Sequence, residues 1–386
     1  EDIVDRAFKE DLKKKYSDKD FQYKEDDEKP EEKEETSTSD TAFINGIIFF
    51  ISKIFPFILG GIIILIILKT FLGTEVNFWN FKKTQKKVKA VADDLNYTPN
   101  TMARSLRTGK TDTIGLILAD IGNPFYAKLA RSIEDFAITK GYHLIFSSSD
   151  ENAALEEQLI EMMRNRQVDG LIIASTLVEN NCQILQKLHA QKFPFVLIDR
   201  YIPDTNFSSV VSDNEKGTIN LVQHLIDQDR KKIALFTITP SHLTSISDRI
   251  SGYKKALLNN KIIIDPELII EIPFDNVSKL KDSFDLLERK KVDAIITLNN
   301  SLAHICLKTC QERGIRIPED MAFSSFDDVV WFDLVNPGIT GVRQPVEKMG
   351  EAAVQILMDK FKSNKTEEKQ EFLPVELKIR KSSMGS

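Results

Sequence analysis

Short β-branched runs alternate with amphipathic helical stretches through residues 112–386, and this alternation limits the possible folds more than any other feature of the sequence. Such a rhythm is typical of parallel sheets that are covered by helices on both faces. About 275 residues are too many for one sheet of this kind, so we predict an α/β core of two lobes, each a doubly wound parallel sheet. The predicted strands are residues 113–118, 143–147, 170–174, 195–198, 232–236, 294–297 and 321–324, with helices between them, among them 126–140, 153–165, 215–227, 247–258 and 301–313.

The expected place for a ligand is the cleft between the lobes, because open α/β sheets bind ligands beyond the carboxyl ends of their strands. The sequence lacks the G-x-S-x-G, H-E-x-x-H and G-x-G-x-x-G patterns of common enzyme sites. Residues 107–111 (RTGKT) resemble the end of a phosphate-binding loop, but Arg104 stands where the first glycine of that loop is required. Cys182, Cys306 and Cys310 are too few for a disulfide framework and lack partners at metal-ligand spacing, so we predict buried thiols. We therefore predict a protein that is not an enzyme and that needs no cofactor or metal.

The formal charge of −6 is unevenly distributed along the chain. Residues 1–40 hold 16 acidic and nine basic side chains, and the run at 25–35 (EDDEKPEEKEE) has no apolar periodicity. We expect this acidic segment to be disordered and solvated. Residues 82–110 hold eight basic and two acidic side chains. Such a basic cluster is typical of contact with nucleic-acid phosphates or an anionic lipid surface, and equally of a solvated helix face.

An uncharged run of fifteen residues, 54–68 (IFPFILGGIIILIIL), lies between Lys53 and Lys69 in the segment 41–81. Because long lysine side chains can reach the membrane interface, residues 53–72 are long enough to span a bilayer, and we predict one transmembrane helix there. The lysine-rich flank that follows places the core in the cytoplasm by the positive-inside rule. The predicted location is therefore the inner membrane, or the cytoplasm if residues 1–81 do not belong to the native polypeptide.

Motifs spread along the carboxy-terminal three-quarters of the chain resemble those of one known family. Residues 87–115 read KVKAVADDLNYTPNTMARSLRTGKTDTIG. Further motifs are DIGNPF at 120–125, VDGLI at 168–172, the pair Asp199-Arg200, SDN at 212–214, RISG at 249–252, FDD at 326–328, RQP at 343–345 and IRKS at 379–382. In order and spacing they resemble the LacI/GalR family of transcription regulators, from about Lys82 to Ser383. The resemblance implies a core like that of periplasmic binding proteins, which senses a small carbohydrate-like effector, forms a homodimer and acts allosterically.

The DNA-binding part of the chain departs from the family. The resemblance leaves only the third helix of the headpiece, at about residues 84–95, because the predicted membrane segment stands in the place of the first two helices. Without a recognition helix, base-specific DNA readout is expected to be impaired or lost, which leaves salt-sensitive attraction to the backbone. The family's hinge helix is present at residues 100–108, and by resemblance Leu106 is the wedge that opens a base step. The resemblance assigns DNA contacts to Asn100, Ala103, Arg104, Leu106 and Arg107.

The resemblance also assigns residues to an effector site in the cleft. Arg249 is the anchor for ligand hydroxyls or a carboxylate, and the alternative is a surface arginine on a helix. Asp327 and Asn299 follow predicted strands, where each can bind a ligand hydroxyl or cap the next helix. Leu243 stands where purine-sensing relatives carry an arginine, which favours a carbohydrate over a purine. The full set of predicted effector-binding residues is Phe125, Tyr126, Asp199, Ser245, Arg249, Phe274, Asn299 and Asp327, and Asp213 is expected to link ligand occupancy to lobe closure.

Three further hypotheses follow from the unusual amino-terminal part. The first is a membrane-tethered ligand sensor with no role at DNA. The second is that residues 1–81 and 82–386 come from two genes joined in error, the parent of the core being a soluble operator-binding repressor. The third is a periplasmic sugar-binding protein of the same fold, which the basic flank after the membrane segment disfavours.

Overall fold

A computed structural model describes residues 90–91, 109–178, 182–239, 241–273, 278–362 and 367–385. The chain divides into two compact units, Glu1–Thr98 and Pro99–Ser386. In the first unit the structure describes Ala90 and Val91, which are helical and exposed. The predicted acidic segment, membrane span and hinge helix lie outside the described residues. Among the helices that the structure does describe, none has the length and apolar character needed to cross a membrane.

The first lobe of the second unit is built on a six-stranded sheet. Its strands are β1 (Thr113–Leu118), β2 (His143–Ser148), β3 (Gly170–Ile173), β4 (Phe195–Ile198), β5 (Ser209–Ser212) and β11 (Gln370–Leu373). All neighbours run parallel, in the order β11-β5-β4-β3-β1-β2. Helices α1 (Pro124–Thr139) and α8 (Val346–Lys362) cover one face, and α2 (Ala153–Asn165) and α3 (Gln183–Ala190) cover the other. This lobe confirms the predicted parallel, doubly wound architecture.

The second lobe repeats this plan with one difference at its edge. Its strands are β6 (Ile233–Thr239), β7 (Ile269–Pro273), β8 (Ala294–Thr297), β9 (Ala322–Phe326), β10 (Thr340–Arg343) and β12 (Glu376–Lys378). The order is β12-β10-β9-β8-β6-β7, and β12 runs antiparallel to β10, so the expectation of a wholly parallel sheet fails at this edge. Helices α4 (Asn214–Asp227) and α5 (Thr244–Asn259) cover one face, and α6 (Ser278–Lys290) and α7 (Asn300–Glu312) cover the other.

The local sequence explains why these elements form. Strands β3, β4, β5 and β8 are buried at every residue, because helices cover both faces of each sheet and leave no solvent side. Several helices begin at side-chain caps that satisfy backbone N–H groups: Asn123 before α1, Asn152 before α2, Asp213 before α4 and Asn299 before α7. The three cysteines are buried, as predicted, and form no disulfide with one another.

The chain passes between the lobes three times, and we call these stretches the crossing segments. The first, 212–214, joins β5 to α4; the second, 343–346, joins β10 to α8; the third, 373–376, joins β11 to β12. Each lobe is therefore assembled from separate parts of the sequence. Backbone contacts between the crossing segments, such as the hydrogen bond from Asp213 N to Leu373 O at 2.8 Å, hold them side by side.

One glycine in each lobe permits close packing of helices. A Cβ at Gly252 on α5 would collide with the carbonyl oxygen of Glu215 on α4. A Cβ at Gly350 on α8 would collide with the side chain of Ser132 on α1. These two contacts fix the spacing of the helix pairs from which the walls of the cleft project.

Candidate ligand-binding site

A cavity of about 270 Å³ lies between the two lobes at the carboxyl ends of their strands. It is near the lower end of the usual range for small-molecule sites, about 300–1,000 Å³. Seven of the eight predicted effector-binding residues line it: Phe125, Tyr126, Asp199, Ser245, Arg249, Asn299 and Asp327. The eighth, Phe274, lies outside the described residues. The predicted cleft therefore exists, and it gathers residues that are distant in sequence.

Two aspartates occupy equivalent positions in the two walls. Asp199 follows β4 in the first lobe and Asp327 follows β9 in the second, and each is 4–6% exposed. Both adopt positive φ angles, 69° for Asp199 and 76° for Asp327. This left-handed conformation costs an L-residue about 1–2 kcal/mol, although aspartate tolerates it better than most. The conformation turns each carboxylate toward the cavity at the end of its strand.

In the first wall, Asp199 is held by its neighbours within the same lobe. The hydroxyl of Tyr126 donates to Asp199 Oδ2 at 2.8 Å. Burial raises the pKa of Asp199, although the charges of Arg200 and Arg249 and the Tyr126 hydrogen bond oppose this. Burial likewise raises the pKa of Tyr126 well above its usual range, so its phenol remains a donor at neutral pH. The Tyr126 ring stands edge-on to Phe125, with 5.1 Å between centroids.

Arg200, which follows Asp199 in the sequence motif but was not among the predicted site residues, reinforces this wall. Its guanidinium forms a bidentate pair with Glu151, at 2.8 and 2.6 Å. Burial opposes the charge of Arg200, but Tyr126, Glu151 and Asp199 outweigh burial and raise its pKa. Its Nε lies 3.5 Å from Asp199 Oδ2, an ion-pair distance without a hydrogen bond. The first wall is thus a network of contacts within one lobe, in which Arg200 Nε has no hydrogen bond.

In the second wall, Arg249 is buried in the cleft and is not a surface helix arginine. It is 4% exposed, and its guanidinium lies 3.8 Å from the centre of the Phe326 ring. Its Nε donates to Asn214 Oδ1 at 2.8 Å and its Nη1 to the Leu298 carbonyl at 2.6 Å. Burial lowers the pKa of Arg249, against the pull of Asp327 and Asp199. Because the two hydrogen bonds use Nε and Nη1, Nη2 is left for the cavity that Arg249 lines.

Asp327 is the centre of a hydrogen-bond network in the second wall. Gln344 Nε2 donates to its Oδ1 at 2.5 Å, while Asn300 donates to its Oδ2 through the backbone N–H at 3.1 Å and through Nδ2 at 3.0 Å. The oxygen of Gln344 in turn accepts from Ser212 Oγ at 2.7 Å. Ser212 and Gln344 belong to two different crossing segments. The carboxylate is therefore tied to the joints between the lobes and does not cap the segment that follows it.

The lobes also touch directly on both sides of the cavity. Asn300 Nδ2 of the second lobe donates to Asn123 Oδ1 of the first at 2.9 Å. On the other side, the backbone N–H of Tyr201 donates to Thr244 Oγ1 at 3.0 Å, and Thr244 Oγ1 donates back to the Tyr201 carbonyl at 2.9 Å. The Tyr201 hydroxyl lies 3.3 Å from Asp248 Oδ1. These contacts hold the cleft in a narrow arrangement.

The sequence predictions were uneven in detail. Asn299 lines the cavity, but its oxygen caps α7 by accepting from Leu302 N at 2.8 Å, so the capping alternative holds for that atom. Glu151, Asn123 and Gln344 also line the cavity and were not among the predicted site residues. Gln344 lies in the RQP motif at 343–345, and this motif is the sequence signal that would have identified it.

The charges of the cavity restrict the ligands that it suits. Five carboxylates line it (Asp120, Asp150, Glu151, Asp199 and Asp327), against two guanidiniums, those of Arg200 and Arg249. Carboxylates accept hydrogen bonds from hydroxyl groups, the arginine donates, and the aromatic rings offer apolar faces. The excess of negative charge disfavours an anionic ligand. In the part of the chain that the structure describes, no group of three or more His, Cys, Asp or Glu side chains could hold a metal ion.

Two other grooves are larger but lie on outer surfaces. One, of about 910 Å³, lies at the base of the first lobe near Gly109 and Tyr142. The other, of about 920 Å³, lies on the second lobe beside Trp331 and Ile315. Neither contains the convergent buried charges at strand ends that characterise the cleft, so we assign the ligand site to the cleft.

Comparison with known proteins gives a consistent set of relatives. A family model for the periplasmic binding protein-like domain matches residues 222–383. The HTH-type transcriptional repressor PurR of Photobacterium profundum is 30% identical over 303 residues, which cover 78% of this chain and 89% of that protein. Catabolite control protein A of Priestia megaterium is 32% identical over 301 residues, covering 78% of this chain and 90% of its own. A solved LacI family transcriptional regulator from Enterococcus faecium, with bound ribose, has a TM-score of 0.62 and 28% identity, covering 71% of this chain and 99% of its own.

Proposed function

The chain belongs to the LacI/GalR family of transcription regulators, and from that premise we propose that its cleft binds a small neutral sugar as effector. Its relatives are transcriptional regulators and not enzymes, which agrees with the prediction that this chain is not an enzyme. The proposal concerns the effector and the way in which its binding changes the lobes.

The observation that carries the proposal is the pair of strand-end aspartates facing one small cavity with Arg249. A polyhydroxylated ring can donate hydroxyl protons to carboxylates on two sides while it accepts from a guanidinium. Phe125 and Tyr126 offer apolar faces on which the C–H surface of a sugar can pack. Leu243, 5% exposed in the cavity lining, adds apolar surface and no charge.

The volume and the charge of the cavity restrict the class of sugar that it can bind. A cavity of about 270 Å³ suits a monosaccharide better than a disaccharide. Five carboxylates against two guanidiniums favour a neutral sugar over a phosphorylated one. The solved relative from Enterococcus faecium holds ribose, which supports a pentose as the first candidate for this chain.

The proposed response to the effector is a shift in the lobe arrangement. An effector that binds Asp199 and Asp327 together stabilises the narrow cleft, because it bridges the two walls. The base of the first lobe holds the chain that leads back toward residues 100–108: Asp169 accepts from the backbone N–H groups of Thr111 and Asp112, both at 2.9 Å. A change in the lobes is thereby passed to the predicted hinge residues. We also propose that the lack of recognition helices weakens DNA binding by this chain and that the chain forms a homodimer. Both proposals rest on the family resemblance.

The test is calorimetric titration of the full chain with D-ribose, D-xylose, D-glucose and D-ribose 5-phosphate. We expect saturable binding of a neutral pentose and at least about tenfold weaker binding of the phosphorylated sugar, because its charge meets the acidic lining. The variant Asp150→Asn removes one rim carboxylate and should narrow that difference. Binding of the phosphorylated sugar in preference to all neutral ones would refute the proposed effector class.

The DNA part is tested separately by fluorescence anisotropy on duplexes at physiological salt. Weak, salt-sensitive and sequence-independent binding is expected, since backbone contacts dominate when base readout is lost. Tight binding to one sequence would show that the DNA readout is intact.

A further inference from the structure

The hydroxyl of Tyr126 occupies one oxygen of a carboxylate that faces the effector cavity. It donates to Asp199 Oδ2 at 2.8 Å, and both residues are buried. The same oxygen lies 3.5 Å from Arg200 Nε. Oδ2 therefore already accepts one of the roughly two hydrogen bonds that a carboxylate oxygen can take, and a guanidinium stands beside it, before any ligand enters.

The other oxygen of Asp199 differs from the first. Within the described residues, no hydrogen bond reaches Asp199 Oδ1, although the carboxylate lines the cavity. In the opposite wall both oxygens of Asp327 accept protein hydrogen bonds, from Gln344 and from Asn300. Asp199 thus presents one available oxygen to the ligand, in a fixed direction.

A carboxylate with both oxygens available binds two neighbouring hydroxyls of a sugar at once, since it can accept about four hydrogen bonds. Here the phenol has the chemistry of one such hydroxyl, a neutral O–H donor at the correct distance. Its burial keeps the proton on the phenol oxygen, which makes Tyr126 a permanent competitor for Oδ2.

We propose that Tyr126 is a specificity-determining residue, because its hydroxyl takes the place of an effector hydroxyl at Asp199 Oδ2. Asp199 then accepts a hydrogen bond from one hydroxyl of the bound sugar, through Oδ1, and none from the adjacent hydroxyl. This inference rests on the proposed function, namely that the effector is a sugar. It makes the site tolerant of a missing or inverted hydroxyl at one ring position next to the one that Asp199 binds.

A merely structural role for the phenol predicts a different result. If the hydrogen bond only held Asp199 in position, its removal would weaken the binding of every sugar by a similar factor. If it excludes a hydroxyl, its removal changes the ranking of sugars that differ by one hydroxyl. The ranking therefore separates the two roles.

The experiment uses the full chain and its Tyr126→Phe variant, which keeps the ring and its edge contact with Phe125. Each is titrated with D-ribose and with the four ribose analogues that lack one hydroxyl, at carbons 1, 2, 3 and 5. For the wild type we expect one position where loss of the hydroxyl changes the Kd less than about twofold. In Tyr126→Phe the freed oxygen should bind that hydroxyl, so its loss should now weaken binding by about tenfold.

Tyr201→Phe is the matched control, because it removes a half-buried phenol hydroxyl that faces a carboxylate, that of Asp248, and neither residue is part of the cavity lining. It should leave the ranking of the five sugars unchanged. An identical ranking in wild type and Tyr126→Phe overturns the inference while the proposed function stands. Failure of the wild type to bind any of the five sugars, with its thermal unfolding intact, overturns the pentose assignment and the inference together.

Discussion

The two walls of the cavity carry similar residues but connect to the rest of the molecule in different ways. In the first wall, Tyr126, Asp199, Arg200 and Glu151 contact one another inside a single lobe. In the second wall, the contacts lead outward: Asp327 reaches a crossing segment through Gln344, and the opposite lobe through Asn300. Arg249 likewise bonds to Asn214, where the first crossing segment enters α4.

This difference suggests a division of labour between the lobes. A self-contained network presents a fixed surface whatever the lobes do, which suits the selection of a ligand. A network that ends on the crossing segments and on the other lobe changes when the lobes move, which suits the coupling of binding to closure. Variants of the first wall should therefore alter which sugar binds and how tightly, and variants of the second should also alter closure.

The largest expected effect comes from Arg249→Ala. The variant removes the guanidinium from the ligand and leaves Asn214 Oδ1 and the Leu298 carbonyl without their donor. Because a hydrogen bond to a charged group contributes about 1.5–3 kcal/mol, we expect effector affinity to fall by about 10- to 150-fold. Calorimetry measures the loss, and Arg131→Ala, whose side chain is 69% exposed on α1, is the control. Closure on sugar binding should vanish as well; if calorimetry finds binding nearly intact, the anchor role of Arg249 is wrong.

The second effect is a comparison of Asp327→Asn with Asp199→Asn. Each substitution replaces a carboxylate oxygen by an amide nitrogen, and each should weaken sugar binding by about 10- to 100-fold. The variants should differ in closure, measured as the change in radius of gyration by small-angle X-ray scattering when saturating sugar is added. We expect Asp199→Asn to keep that change and Asp327→Asn to lose most of it, because only Asp327 is tied to a crossing segment. If the two variants showed the same change in radius of gyration, the proposed difference between a ligand-selecting wall and a closure-coupled wall would be wrong.

A smaller effect is expected from Gln344→Met, which keeps the length of the side chain and removes its hydrogen bonds. The link from Ser212 through Gln344 to Asp327 is lost, at about 1 kcal/mol for a typical net hydrogen bond, or about fivefold in affinity. We expect the sugar-free protein to become more open in scattering. Gln355→Met on α8, where the amide bonds to Asp359, is the control and should change neither property. An unchanged radius in Gln344→Met would show that closure does not depend on this link.

The smallest effect concerns pH and the contact between Tyr201 and Asp248. Burial raises the pKa of Asp248 to about 6, with Glu215 and Asp213 adding to the rise while Tyr201 and Arg249 oppose it. Since this folded-state pKa is above the ordinary value of 3.8, the stability that protonation gives is complete below about pH 4 and is lost as pH rises through 6. Asp248→Asn should remove this slope and raise the melting temperature at pH 7 by roughly 1–3 °C after allowance for solvent screening. Parallel melting curves for variant and wild type between pH 4 and 7 would contradict the assignment.

Local sequence predicted seven of the strands that the structure describes and missed five. The predicted strands at 113–118, 195–198 and 294–297 and the helix at 153–165 have the observed bounds, because central strands and amphipathic helices carry strong periodicity. Strands β5, β7, β10, β11 and β12 were not predicted. Of these, β11 and β12 are short, mix polar and apolar residues and pair only at sheet edges. A three-residue stretch such as β12 carries no sequence pattern that predicts an antiparallel partner.

For the site, the same distinction holds between what is local and what depends on the whole chain. Asp327 follows a buried strand and Arg249 lies in the first turns of a helix, so motif and pattern could place them. The contact between Asn123 and Asn300 joins residues 177 positions apart and exists only in the narrow cleft. No pattern near either residue encodes it. Phe274 and the hinge residues Asn100, Ala103, Arg104, Leu106 and Arg107 stay predictions, because they lie outside the described residues.

The three crossing segments have a consequence for folding during synthesis on the ribosome. The sheet of the first lobe acquires its last strand only when residue 373 has been made, and helix α8, which fills one face of its core, starts at Val346. The second lobe likewise waits for β12. Neither lobe corresponds to a continuous stretch of the chain. Larger proteins usually fold one domain after another during synthesis, but neither of these lobes can complete its sheet before the last part of the second unit has been made. The two sheets whose strand ends bear the cavity are therefore complete only after residues 370–378 have been made.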